Sequence, residues 1–248
     1  MLYALRYPFS FGVLVVTFVL AMVVRGVVQR LISGRRQPAW VRANTKRRRT
    51  TWLKPYVDPY GFIAALLGGV GWGIAVETGD PRSRSRGRQL LQLIAGPLVL
   101  TGLGIGMLAI FRAVSGVAGP WPSLSSVVRG FAFTKPPMII TSVGNLSLSQ
   151  PHIHYLLPFG QVALFLAGVE FVALGVLAIM PIPPLDGGKL LFLLLPRKGG
   201  WQKARYRLIE ENWGVLILLV LALPILFRRL ALVAALAHIV DPLVRSVS

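Results

Sequence analysis

Three uncharged apolar runs limit what this chain can become. Tyr7 to Val24, Leu90 to Phe111 and Phe159 to Met180 each reach the roughly 18 residues that a helix needs to cross a bilayer. Only Glu170 interrupts the third. Asn212 to Phe227 is shorter, with Pro224 late in it. Together with 54% hydrophobic residues and a mean hydropathy of +0.66, these runs predict an all-α membrane protein. The chain has no cysteine, which excludes a disulfide framework and any thiolate metal site.

A formal charge of +19 resembles a nucleic-acid footprint until the basic residues are located. Nine lie between Arg30 and Lys54, four between Arg82 and Arg88, and six between Lys189 and Arg207. Confinement to three loops is what the positive-inside rule produces without a nucleic-acid partner. These loops are therefore expected on the cytoplasmic side of a multi-pass protein of the cell membrane. The partners expected from composition are membrane lipids, and Lys46-Arg47-Arg48-Arg49 could attract anionic headgroups. The first apolar run reads as a retained span rather than a signal peptide, because its charges follow it instead of preceding it.

Charge also sets the expected layout, a single integral membrane domain over 1–248 with spans at about 7–29, 90–111, 159–180 and 212–227. The apolar, glycine-rich stretch 60–76 lies between two basic clusters. A full crossing there would strand the later arginines outside, so a re-entrant hairpin is predicted, its irregular backbone covered by protein or lining a wet cavity. Residues 113–158 carry only Arg129 and Lys135 and are expected as an irregular outside loop. Residues 230–248 are expected as an interfacial tail. Gly102 and Gly106 form a small-xxx-small pair suited to close helix packing.

The order of several motifs adds a resemblance. Met180-Pro181-Ile182-Pro183-Pro184-Leu185-Asp186-Gly187-Gly188 is the most specific of them. It follows Val57-Asp58-Pro59-Tyr60-Gly61, Gly71-Trp72-Gly73 and Ile94-Ala95-Gly96-Pro97-Leu98, and Glu210 to Leu219 comes after it. In this order they resemble the short, single-domain branch of the site-2 protease family, the intramembrane zinc metalloproteases, over most of Met1 to Phe227. The resemblance implies a core of about four transmembrane helices plus a re-entrant hairpin opened by Asp58, returning near Gly71. It also implies zinc, held by two histidines of a His-Glu-x-x-His helix motif and by the aspartate of the proline-rich element.

The motif that would complete this centre is missing. Landmarks after the first span, Arg30-Leu31 and Gly34, place it within Leu20 to Gly26, which reads Leu-Ala-Met-Val-Val-Arg-Gly. No histidine precedes His152 and no glutamate precedes Glu77, so a shift of register does not supply it. The expectation is a catalytically inactive pseudoprotease without a cofactor, with no catalytic residue to name. Asp186, at the position of the third zinc ligand, then has three readings: a turn or capping group, an ion pair with Arg25, or a vestigial metal ligand.

Client-binding or structural roles are expected for Arg25, Glu170, Asp58, Gly71 and Gly187. The same holds for Pro181, Pro183 and Pro184, which should keep their segment extended and free of helix. Glu170, midway along a span, should be protonated, paired or facing a cavity. His152 and His154 are expected in the outside loop, and His238 at the interface. A transmembrane protein client or membrane complex is the partner this reading suggests. The competing functions are an active metalloprotease with substitute ligands drawn from Asp186, Glu170, His152 or His154, and a small transporter or lipid-binding membrane protein.

Overall fold

The computed structural model describes residues 8–33, 56–68, 71–73, 86–115, 159–183, 185–195, 200–211 and 213–222. Among them the secondary structure is helical, apart from one antiparallel bridge between Val57 and Gly73. Three helices are long and apolar enough to cross a membrane: α1 (Pro8–Ser33), then α3 (Arg86–Ser115) and α4 (Phe159–Ile179). A short helix α2 (Pro59–Gly68) stands between α1 and α3. After α4 come α5 (Asp186–Leu194), α6 (Gly200–Arg205), one π-helical turn (Tyr206–Glu210) and α7 (Trp213–Ala222).

Side-chain contacts set the directions of the three long helices. At one end Phe9 of α1 meets Phe159 of α4 edge-on, with ring centroids 5.0 Å apart. Gln161 of α4 donates to the Val114 carbonyl of α3 at that same end, at 3.4 Å. At the other end a side chain on Gly96 would touch Arg25 and Gln29 of α1. Thus α1 and α4 run parallel and α3 runs against both. The end of α1, the start of α3 and the end of α4 share one end of the bundle. The chain between α1 and α3 therefore begins and finishes at the same level.

The core is apolar and continuous. Leu14, Phe18, Ala21 and Met22 of α1 join Leu100 of α3 with Leu166, Phe171 and Leu174 of α4. The antiparallel α3–α4 contact is closest at glycine. A methyl on Gly104 would press on the Gly168 carbonyl and Val172, and one on Gly175 would meet Thr101 and the Pro97 carbonyl. Gly102 and Gly106, the pair expected to pack, have open space around the position of a side chain. Two residues turn a helix by about 200°, so the seam through Gly104 leaves its neighbours on the opposite face.

Other expectations need correction. Arg86 begins α3 and Ser115 ends it, so the helix extends four residues beyond each end of the expected span 90–111. The outward limb of the 60–76 hairpin is regular helix, not irregular backbone. Asp58 caps it by accepting from the Tyr60 N–H at 3.2 Å, and Pro59 follows at the first helical position, where its missing N–H costs nothing. At ten residues, α2 is about 15 Å long, half a bilayer core. The return limb passes Gly71 and pairs Gly73 with Val57, closing the hairpin. The fourth expected span is described only as far as Ala222, and the 113–158 loop beyond Ser115, the 230–248 tail and the three histidines lie outside the described residues.

Candidate functional site

The end of the bundle where three helix termini meet carries a buried cluster of charged and polar groups. The chain leaves α4 through tight turns rather than the extended segment expected of its prolines. The Ile182 N–H bonds to the Met180 carbonyl at 2.8 Å and the Leu185 N–H to the Ile182 carbonyl at 2.9 Å. Pro181 is exposed, Pro183 is half-buried, and Pro184 lies outside the described residues. Proline supplies no N–H and fixes φ, so α4 ends at this block and a new helix can start directly after it. Gly187 and Gly188, in the first turn of α5, lie against the backbone of Ile179 to Pro183; a methyl on Gly187 would collide with the Ile179 and Met180 carbonyls. This contact folds α5 back on the end of α4 and turns Asp186 inward.

Asp186 meets α1 there. Arg25 grips the carboxylate side-on, with Nη2 at 2.7 Å from Oδ1 and Nε donating to Oδ2 at 2.8 Å. Gln29 Nε2 donates to Oδ2 as well, at 2.8 Å. Exposures of 3% for Arg25, 2% for Gln29 and 1% for Asp186 place all three out of water. Of the three readings of Asp186, this is the ion pair. No side chain caps the start of α5, and Asp186 is its first helical residue rather than a cap. A carboxylate there also lies favourably against the partial positive charge of the helix N-terminus.

Gln29 is the residue that sequence reasoning missed. Arg25 and Gln29 are four apart on one helix face, the spacing that His-Glu-x-x-His gives its two imidazoles. The window Leu20 to Gly26 stopped one turn short of it. The available signal was the spacing: Gln29 is a polar residue in an apolar helix, four places after Arg25, the first charge in it. Gly26, between the two, faces Tyr56, whose ring occupies the space a side chain would take. Tyr56 in turn accepts from Arg30 Nη1 at 2.7 Å, and the Arg30 guanidinium lies 4.4 Å from its ring centroid.

These donors do not suit zinc. The cluster has one carboxylate, and both its oxygens are engaged by a guanidinium and an amide N–H. Among the described residues no three His, Cys, Asp or Glu side chains come together. Glu170 is buried in α4, nine residues before the helix ends and so about 14 Å along the axis from the cluster. Its Oε2 has no hydrogen-bond partner among the described residues. Asp58 serves the hairpin: besides capping α2 it accepts from Trp72 Nε1 at 2.7 Å, tying the two limbs together. Gly71 is buried on the return limb, where a side chain would strike Gly61, Ala65 and Phe18.

No protein-family model, curated protein or solved structure matches the chain. Its site is therefore interpreted from its own residues.

Proposed function

We propose that this chain is a catalytically inactive membrane protein on a site-2 protease-like scaffold, with a buried ion pair at the position where that family holds zinc. Its task on this reading is to bind or regulate a transmembrane client in a multi-pass setting, with the basic loops cytoplasmic. One observation carries the reading: Arg25 and Gln29, one turn apart on the first helix, both end on Asp186 of the Pro-Pro-Leu-Asp-Gly-Gly element. Two side chains at i and i+4 meeting that aspartate is the arrangement of a three-ligand centre, with a cation and an amide in place of two imidazoles. A guanidinium fork joins the elements that a metal ion would join, and neither group activates water. Hydrolysis is therefore not the expected activity.

The test is a metal measurement on purified protein. Wild type incubated with excess zinc and desalted should carry none at stoichiometric level. Arg25→His with Gln29→His should acquire zinc, and adding Asp186→Ala to that variant should abolish it. Stoichiometric zinc on the wild type, lost in Asp186→Ala, would overturn the reading in favour of an active metalloprotease. Client binding is tested with a photo-crosslinking residue at exposed Tyr60 on the hairpin helix. Crosslinks to single-span membrane proteins are expected, and crosslinks to lipid alone would sink that part of the proposal.

A further inference from the structure

The segment leading into α7 presents aromatic and cationic side chains together on the surface. Trp201, Tyr206 and Trp213 are 49%, 59% and 53% exposed, and Lys203, Arg205 and Arg207 are exposed as well. None of these three cations forms an ion pair among the described residues. Trp201 and Arg205 stand four apart in α6 and so share one face, aromatic beside cation. Two carboxylates, Glu210 and Glu211, oppose these three cations at the far edge of the stretch and leave it one net positive charge; Glu211 is exposed, its backbone N–H bound to the Tyr206 carbonyl at 3.2 Å.

Packing fixes the level at which this segment sits. A side chain on Gly214 would lie 2.7 Å from the Pro183 carbonyl oxygen and 2.6 Å from that of Leu208. The start of α7 therefore lies against both the π-helical turn and the proline block that ends α4. The apolar run of α4 stops at this level, and Trp213 stands beside it. Amphipathic rings at the end of an apolar span belong in the headgroup layer, where cations beside them meet phosphate.

We propose that the surface from Trp201 to Trp213 docks the headgroups of anionic glycerophospholipids from the membrane that holds the chain. Exposed tryptophan and tyrosine would suit any headgroup layer. Three exposed cations among them, outnumbering the two carboxylates at the edge of the stretch, favour one with net negative charge. The inference rests on insertion of α1, α3 and α4 in a bilayer and is independent of the pseudoprotease reading, so either can fail without the other.

The experiment uses the full chain reconstituted with spin-labelled lipids, comparing phosphatidylglycerol with phosphatidylcholine in the motionally restricted shell. Wild type should prefer the anionic lipid by about threefold or more at low salt, with the preference fading at 1 M salt, where screening acts within about 3 Å. Lys203→Gln with Arg205→Gln and Arg207→Gln should abolish most of it. Arg82→Gln with Arg84→Gln and Arg86→Gln removes the same charge from another basic cluster and should leave it in place. Equal loss in both triple variants would reduce the effect to overall basicity and overturn the site. So would retention of the preference in the first triple variant, or no preference in the wild type.

Discussion

Arg25 illustrates how a charge becomes tolerable inside an apolar helix. Its side chain is buried, but Nε and Nη2 both reach Asp186, and the carboxylate's second oxygen is shared with Gln29. A buried pair like this is weak evidence for net stability, because taking two ions out of water costs about what their attraction returns. Removing one partner is different, since the other stays buried and alone. Arg25→Met should therefore destabilise the protein by about 3–5 kcal/mol, and so should Asp186→Leu. The double variant should recover most of that loss. Unfolding curves in mixed detergent micelles of all four proteins measure the coupling, and additive single effects would show that the two groups do not depend on each other. Gln29→Leu removes one hydrogen bond to a charged acceptor and should cost about 1.5–3 kcal/mol. The charge on Arg25 was visible in the sequence. The pairing was one of three readings of Asp186, because a lone aspartate next to two glycines suits a turn as well as an ion pair. Folding decided between them by packing Gly187 on the end of α4, a contact no local pattern encodes.

Helix packing shows which signals hydropathy carries and which it does not. Apolar runs located α1, α3 and α4 because a span must be apolar all round, whichever face meets protein. The same uniformity hides the contact faces, so a spacing rule chose Gly102 and Gly106, whereas the α3–α4 seam uses Gly104 against Gly168. Gly104→Val should then separate the helices and cost several kcal/mol through overpacking, about 1–3 kcal/mol being usual for one misplaced side chain. Gly102→Ala and Gly106→Ala meet no neighbour and should be neutral, or stabilising by less than about 1 kcal/mol. Thermal melts of the three variants in one detergent distinguish the seam from the exposed face. Helix α5 escaped sequence reading for a different reason. Its leucines follow a proline block and two glycines, which read as a loop, yet the glycines are there for close backbone approach and the prolines end just before the helix begins. In the hairpin, Asp58 serves two partners, so Asp58→Ala should loosen both the α2 start and the Trp72 limb. Losing a cap alone costs about 1 kcal/mol; Trp72→Phe, which keeps the cap, should cost less than Asp58→Ala. Faster hydrogen exchange at Tyr60 to Phe62 in Asp58→Ala, absent in Trp72→Phe, would separate the two contributions.

The arrangement of the whole chain follows from where the helix ends meet. Arg25 and Gln29 of α1 lie beside Gly96 of α3, and Asp186 after α4 closes on the same residues. The stretches 34–85 and 180–212 thus leave from and return to one end of the bundle, and they carry nearly all of the nineteen basic residues in the three clusters. At the opposite end, where Phe9 meets Phe159, the connecting stretch 116–158 carries two. Residues and topology agree without having been derived from each other, since one is a count of charges and the other a set of side-chain contacts. The absence of cysteine makes this directly measurable, because each introduced thiol is the only one in the chain. Single cysteines at Arg47, Arg84 and Lys198 should react with a membrane-impermeant maleimide from one side only, and a cysteine at Gly130 from the other. The positive-inside rule puts the first three in the cytoplasm, protected in intact cells and labelled after permeabilisation. Arg47 and Arg84 matter most in this set, since they flank the 56–73 hairpin. Labelling of these two from opposite sides would mean that the hairpin crosses the membrane, contradicting both the charge argument and the meeting of α1 and α3 at Gly96.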